Sequence, residues 1–392
     1  MKISRRSWLQ GFGMLTGAAI GGRFIGEAKA APTTTKSAVV SIYLEGGFNA
    51  LFTSADSFAG NGTFGVSSSN AQTVGNGLVV DAKSIGTLGD WALGHMAAIG
   101  NNHGLSAHPA AQASNFGDGT QSYVVQLAAA IGGAAAFKAV ALGDLPPGSA
   151  PAINGTSLQL LRSMDDVATA LGLNADANAP GRAATAKALS RARQMSAPAL
   201  GTNPRSLSFA KDAYDTDVDS LSKPPISVDL GKIAGAYNTS SGGSLDLVPA
   251  KLAAAELMLR AGTNVISLQD HGWDSHGDRG GSTVRAKMSQ AILPALKTFL
   301  GRLRSEPELA AQNVTVMIHG DFARSLPGSD HASCLSALVI GPHVKVGTTG
   351  KVSADVRLDP NTGGSREMWA YLAAVAQVAQ NPFGNNPHAL VV

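Results

Sequence analysis

Residues 38–44 form an apolar run that closes on Glu45-Gly46-Gly47-Phe48-Asn49. An apolar run bounded by glycines predicts a strand buried on both faces, the parallel type. Residues 54–90 are rich in Gly, Ser, Asn and Thr and read as loop. A second strand is expected at 92–99, leading into Gly100-Asn101-Asn102-His103-Gly104-Leu105-Ser106-Ala107-His108-Pro109. An Ala-rich helix is expected at 121–136 and a third strand at 137–142, ending before Pro146-Pro147. Helical spacing recurs over 157–172 and 182–196, whereas 198–228 reads as irregular. Residues 155–245 are taken as a partly helical insertion or cap.

The last third has the plainest pattern. Strong helix formers fill 248–261 and Gly262 stops them. A strand follows at 264–268, a long amphipathic helix at 283–304, and strands at 313–318 and 336–340, with a closing helix at 365–380. Strand, helix and strand at this spacing predict a parallel crossover. The alternation predicts an α/β fold, a mostly parallel sheet flanked by helices, whose ligands bind beyond the carboxyl ends of the strands.

The first 30 residues stand apart. Arg5 and Arg6 precede an apolar stretch from Gly11 to Ile25, and Ala28-Lys29-Ala30 offers a small-residue cleavage site. This is the pattern of a twin-arginine export signal, so 1–30 is expected to be a leader and 31–392 one α/β domain with its insertion. A membrane anchor is the competing reading, but the stretch is shorter than the roughly 20 residues a span requires and Arg23 interrupts its end. The expected partner during export is the twin-arginine translocase, and the expected location is the periplasm or the medium, with no stable membrane span after cleavage.

Composition narrows the function. Hydrophobic residues make up 44% of the 392 and charged residues 15%, enough apolar material for a sizeable core. The leader holds five basic residues and one acid, leaving 25 basic against 26 acidic residues in the mature chain. With no basic block, a nucleic-acid partner is not expected. The single cysteine, Cys334, excludes an intrachain disulfide and a multi-thiolate zinc site.

Chemistry concentrates after the predicted strands. Gln269-Asp270-His271-Gly272-Trp273-Asp274-Ser275-His276-Gly277-Asp278 follows one; His319-Gly320-Asp321-Phe322-Ala323-Arg324-Ser325, then Asp330-His331, follows another. Of nine histidines, seven (His95, His103, His108, His271, His276, His319 and His331) are expected at or beyond strand ends. Asp and His on separate loops suit a divalent metal and a hydrolytic centre, with zinc, manganese, calcium or magnesium all open. The bland alternative is loop-capping aspartates and surface histidines. No Gly-x-Ser-x-Gly elbow, Walker loop or dinucleotide fingerprint follows any predicted strand.

Three segments resemble a large family of twin-arginine-exported bacterial proteins of unknown function, itself similar in fold to the alkaline phosphatase and sulfatase superfamily. They are residues 39–47, Gly272-Trp273-Asp274-Ser275-His276, and 316–325 with Asp330-His331. The resemblance implies that Asp274, His276 and His331 ligate one metal, and that Asp321, helped by Asn49, reaches a second. It implies that Arg324 holds an anionic oxygen of a small phosphate or sulfate ester, the alternative being a salt bridge to Asp321 or Asp330. Ser106, between His103 and His108, is the candidate nucleophile, with His108 and Arg324 as its catalytic companions; the alternative for Ser106 is a helix cap. The chain departs from the family at Asn49, where the family has Asp, and at Ala107-His108, where it has a Ser-His pair. Cys334 lacks the surroundings of a formylglycine sulfatase. The resemblance therefore implies an exported metal-dependent hydrolase or, with one metal or none, a catalytically silent relative serving as a periplasmic binding or envelope-assembly protein.

Overall fold

The computed structural model describes residues 36–52, 58, 66–133, 135–148, 152–173, 182–196, 228–350 and 362–392. The expected leader and nearly all of the irregular stretch 198–228 lie outside the described residues.

β1 (Ser37–Leu44) is the middle of the architecture. Its Val39, Val40 and Ile42 suit a pleated backbone, and all are fully buried because both faces are covered. β8 (Val265–Asp270) pairs parallel on one side of β1 and β9 (Asn313–Gly320) parallel on the other. β6 (Ala139–Leu142) and β7 (Leu158–Leu161) extend the sheet beyond β8, both parallel. Beyond β9 come β11 (Leu335–Ile340), β5 (Met96–Asn101) and β12 (Gly347–Thr349). Only β11 among these eight strands runs antiparallel to its neighbours. The eight-stranded order is thus β12-β5-β11-β9-β1-β8-β6-β7.

Alternate residues of β1 feed two cores. Val40, Ile42 and Leu44 pack with the helices Val248–Arg260 and Leu293–Ser305, through residues such as Leu252, Leu296 and Phe299. Val39 and Tyr43 face the helices Tyr123–Ile131 and Ser365–Val375, through Leu127, Trp369 and Leu372. The result is a mixed α/β fold with a mostly parallel central sheet between two helical layers.

Several expectations shift. Residues 92–99 divide into a short helix, Asp90–Gly94, and β5; the imidazole of His95, stacked on Trp91 and 2.9 Å from its carbonyl, marks the break. The loop expected at 54–90 contains the hairpin β3 (Ala71–Gly75) and β4 (Leu78–Asp81). Its Asn76-Gly77 turn has positive φ at both residues, the chemistry of a tight hairpin. The helix expected at 157–172 is instead β7 followed by the helix Met164–Ala170, because Ser163 and Asp166 form a capping box that starts the helix only there. β7, within the expected insertion, forms the outer edge of the main sheet. The long helix expected at 283–304 contains a π turn, Met288–Ile292, before Leu293–Ser305. Pro294, which has no N–H to give the preceding turn, accounts for it. β8 and β9 are parallel, as the crossover predicts, but flank β1 instead of pairing. No helix among the described residues is long and apolar enough to cross a membrane.

Candidate metal centre

Because β1, β5, β6, β8 and β9 all point the same way, their carboxyl ends share one edge, where β11 begins. Two glycines let the loops there approach closely. Gly46 (φ +118°) lies against the next loop so tightly that a Cβ on it would sit 2.1 Å from the Asp274 nitrogen. A Cβ on Gly47 (φ +123°) would sit 2.8 Å from Arg324 Nε. The Trp273 N–H donates to the Glu45 carbonyl at 2.9 Å, and its buried indole donates to Asp270 at 2.7 Å beneath the Lys287 ammonium. Trp273 therefore wedges the loop after β8, and Asp274 emerges beside it, 53% exposed.

Arg324 holds Asp274 from below. It lies on the two-residue strand β10 (Ala323–Arg324), which pairs with β2 (Phe48–Asn49), and opposite His331 in a tight hairpin. The fully buried guanidinium donates to the Gly46 carbonyl at 2.5 Å, the Ser329 carbonyl at 2.7 Å and Asp274 Oδ1 at 2.6 Å. Three of its five N–H groups go to these partners. Its carboxylate partner is Asp274, not the Asp321 or Asp330 of the salt-bridge alternative.

Asp321, fully buried after β9, is equally committed. Oδ1 accepts from the Tyr43 hydroxyl and from the Gly46 N–H at 3.2 Å; Oδ2 accepts from His108 Nδ1 at 2.5 Å and Gln112 at 3.1 Å. Asn49 is buried as well, but its side chain accepts from the Leu51 N–H at 2.9 Å and donates to Ser329 at 3.4 Å. The two side chains expected at a second metal position therefore bond to different neighbours, and the ligand group found among the described residues includes neither.

The histidines decide the chemistry. A carbonyl can only accept, so His331 Nδ1, 2.9 Å from the Ser106 carbonyl, carries the proton and leaves Nε2 as a lone pair. A carboxylate likewise draws the His108 proton to Nδ1, and His108 Nε2 is buried with no hydrogen-bond partner. That free nitrogen lies 3.7 Å from Asp274 Oδ2. His331 Nε2 faces His276 Nε2 at 2.8 Å, and His276 Nε2 is 3.5 Å from Asp274 Oδ1. Ligand atoms of His108, Asp274 and His331 all lie within 4.8 Å of one another. Burial, with Arg324 and the neighbouring imidazoles, lowers the His331 pKa against the opposing Ser106 carbonyl, which favours the neutral ligand form.

Two imidazoles and one carboxylate, with a third imidazole, His276, beside them, suit a transition metal such as zinc or manganese better than calcium or magnesium, which favour all-oxygen sites. The orphaned His108 nitrogen and the facing His276 and His331 nitrogens fit such an ion. His108, expected as a catalytic companion of Ser106, sits among the ligand atoms. Ser106 meets the site through its carbonyl, and it does not cap the helix His108–Phe116, whose N-cap is Ala107.

The remaining histidines lie elsewhere. His319 is inside β9, opposite Tyr43, bonded to Ser41 at 3.0 Å, and burial lowers its pKa to about 3. His95 sits at the amino end of β5, the opposite edge of the sheet. His319 is thus at a strand end, as expected, but faces the interior, whereas His95 corrects the expectation. His103 uses Nε2 to hold the Asp321 carbonyl at 3.0 Å. His271 lies between Glu45 and Asp144, and the Glu45 bond raises its pKa. Cys334 is buried, and burial pushes its thiol up to about 12, far from a reactive thiolate. Sequence reasoning missed Tyr43 and Gln112. Gln112 is four residues after His108 on one helix face, a spacing that was available to read.

No protein-family model and no curated protein sequence matches the chain. Among solved structures, it is similar to the alkaline phosphatase of the Antarctic bacterium TAB5, at 11% identity and a TM-score of 0.31, over 89% of this chain and 100% of that one. A magnesium-bound mutant of the same enzyme gives 10% identity and 0.35, over 88% and 99%. A sulfatase from Pseudoalteromonas gives 10% and 0.36, over 91% of this chain and 73% of that one. These likenesses are too loose to carry an argument about function.

Proposed function

We propose that the protein is an exported metal-dependent hydrolase acting on a small anionic ester, a phosphate or a sulfate, through a single transition-metal ion. One observation carries the reading: the unpartnered Nε2 of His108 and the Nε2 lone pair of His331, each set by a bond at Nδ1, converge with Asp274 at the carboxyl edge of a parallel sheet, and His276 faces His331 Nε2 at 2.8 Å. His108, His276, His331 and Asp274 would hold the ion. When bound, such a metal polarises an ester oxygen and lowers the pKa of water, so hydrolysis needs no serine nucleophile. Arg324 keeps Asp274 in place and partly offsets its charge. The half-exposed Asp274 and His276 leave the centre open to a substrate from solvent. The export leader would place this activity in the periplasm.

A second reading has its own support. Arg324 and Asn49 are both turned to structural partners, and Ser106 offers its backbone, so a silent metal-binding relative also fits.

The test is elemental analysis and thermal unfolding of mature protein prepared without chelators, beside a His108→Ala/His331→Ala double variant. About one equivalent of transition metal is expected. Added metal at 100 times its Kd should stabilise the wild type by about 2.7 kcal/mol and leave the double variant unmoved. Absence of metal and of any shift would sink the proposal. Metal-dependent hydrolysis of nitrophenyl phosphate or sulfate supports the enzyme; bound metal without turnover supports the silent relative.

A further inference from the structure

We infer that Asp321 is not a ligand but a positioning residue for the metal centre, acting through His108, with Tyr43 and Gln112 holding it in place. This rests on the metal reading above. The Asp321 carboxylate is fully buried, and both oxygens are saturated: Tyr43 and the Gly46 N–H on one, His108 and Gln112 on the other. Its one contact with the ligand cluster is the bond to His108.

What Asp321 does instead is choose a tautomer. By accepting from His108 Nδ1 at 2.5 Å, it places the lone pair on Nε2, the buried atom that has no other partner and points toward Asp274. A carboxylate behind a ligating imidazole fixes the ring and raises its basicity. Tyr43 adds a second anchor from β1, and its ring packs edge-on against Phe116 with centroids 4.9 Å apart, so the hydroxyl is held on Asp321. Gln112 lies one helical turn beyond His108, so ligand and support come from one helix.

Asp321→Asn preserves shape and inverts this logic. Turned toward His108, the amide becomes a donor, and His108 must present Nδ1 as acceptor and carry its proton on Nε2, where it cannot ligate. Turned the other way, the amide meets the Tyr43 and Gly46 donors. Zinc affinity, by competition with a chromogenic chelator, should fall about 10- to 100-fold in Asp321→Asn, with a smaller fall in Tyr43→Phe. The second readout is the His108 tautomer in metal-free protein, by long-range proton–nitrogen correlation at mildly alkaline pH. The wild type and Tyr43→Phe should be protonated on Nδ1, and Asp321→Asn on Nε2. A merely structural carboxylate would not move that proton. Zinc affinity unchanged in Asp321→Asn, or a wild-type His108 protonated on Nε2, overturns the role of Asp321 alone. Failure of the wild type to bind zinc overturns the metal reading and this one with it. Should Asp321→Asn fail to fold, the wild-type tautomer and the Tyr43→Phe affinity still decide.

Discussion

Two fully buried carboxylates, Glu256 and Asp321, each bonded to a tyrosine, show how a structural charge cluster differs from a reactive one. Glu256, on the helix Val248–Arg260, accepts from Arg302 at 2.6 and 2.8 Å, from Arg260 at 2.8 and 3.1 Å, and from Tyr237 at 2.9 Å. The outer guanidinium N–H groups continue to Glu306 and Glu308. Burial alone would raise its pKa, but the bonds from Arg302, Arg260 and Tyr237 hold it below the usual carboxylate range. No buried polar side-chain atom of that cluster lacks a partner. Asp321 is bonded by a tyrosine, a backbone N–H, a histidine and a glutamine, and the chain of bonds ends on a buried imidazole nitrogen with none. A closed cluster holds helices together; an open one has bonding capacity left for a ligand.

The comparison breaks most visibly at Glu256. Glu256→Ala leaves two largely buried guanidinium groups without their central carboxylate, and should cost about 3–5 kcal/mol in urea unfolding. Zinc affinity of the folded protein should be unchanged. A parallel loss of zinc affinity would mean that the two clusters are coupled and the contrast false.

How much of this the sequence disclosed differs between fold and site. Long runs with one dominant period, such as β1, β9 and the helix Val248–Arg260, were legible because burial on both faces leaves a run of apolar residues. β7 was not, since its Leu158-Gln159-Leu160-Leu161 is equally compatible with a helix until pairing to β6 decides. Residue type and strand-end position marked the segments that hold Asp274, His276 and His331, and the resemblance alone implied them as a ligand set. Which atoms face which partner was not legible: Asp321 and Asn49 are separated by a choice of hydrogen bonds that no spacing encodes. Nor could spacing show that Arg324, a cation in a polar loop, is entirely buried and committed.

The backbone sharpens the contrast next. Gly46→Ala places a Cβ 2.1 Å from the Asp274 nitrogen at a φ of +118°, so the loop must shift. About 1–3 kcal/mol of destabilisation is expected, together with a clear loss of zinc affinity. Gly277→Ala is the control on the same loop. Its φ is +77°, but nothing lies within 4 Å of the added carbon, so it should cost about 1 kcal/mol and spare the metal. Equal zinc affinity in Gly46→Ala and the wild type would show that Asp274 does not depend on this close approach.

The smallest effect is a matter of pH. His319, inside β9 beneath the candidate centre, has its pKa lowered by burial to about 3, against about 6.5 in the unfolded chain. The unfolded state then binds the extra proton between those values, so the stability this group contributes is complete above about pH 6.5 and is lost as pH falls toward 3. Each unit in that window removes about 1.4 kcal/mol. Glu256, with a lowered carboxylate pKa, contributes stability that is lost only below the unfolded value of about 4.3, as pH falls through the folded one. Between about pH 4.5 and 6.5 the slope therefore reports imidazoles. His388, lowered by burial to about 4, has the same sign; the exposed His271, with its pKa raised, opposes it. His319→Gln removes one proton from the unfolded state, and its amide can still pair with Ser41. Urea unfolding across this window should show a slope shallower by about 1.4 kcal/mol per pH unit, with zinc affinity intact. An unchanged slope would show that His319 is not held neutral in β9.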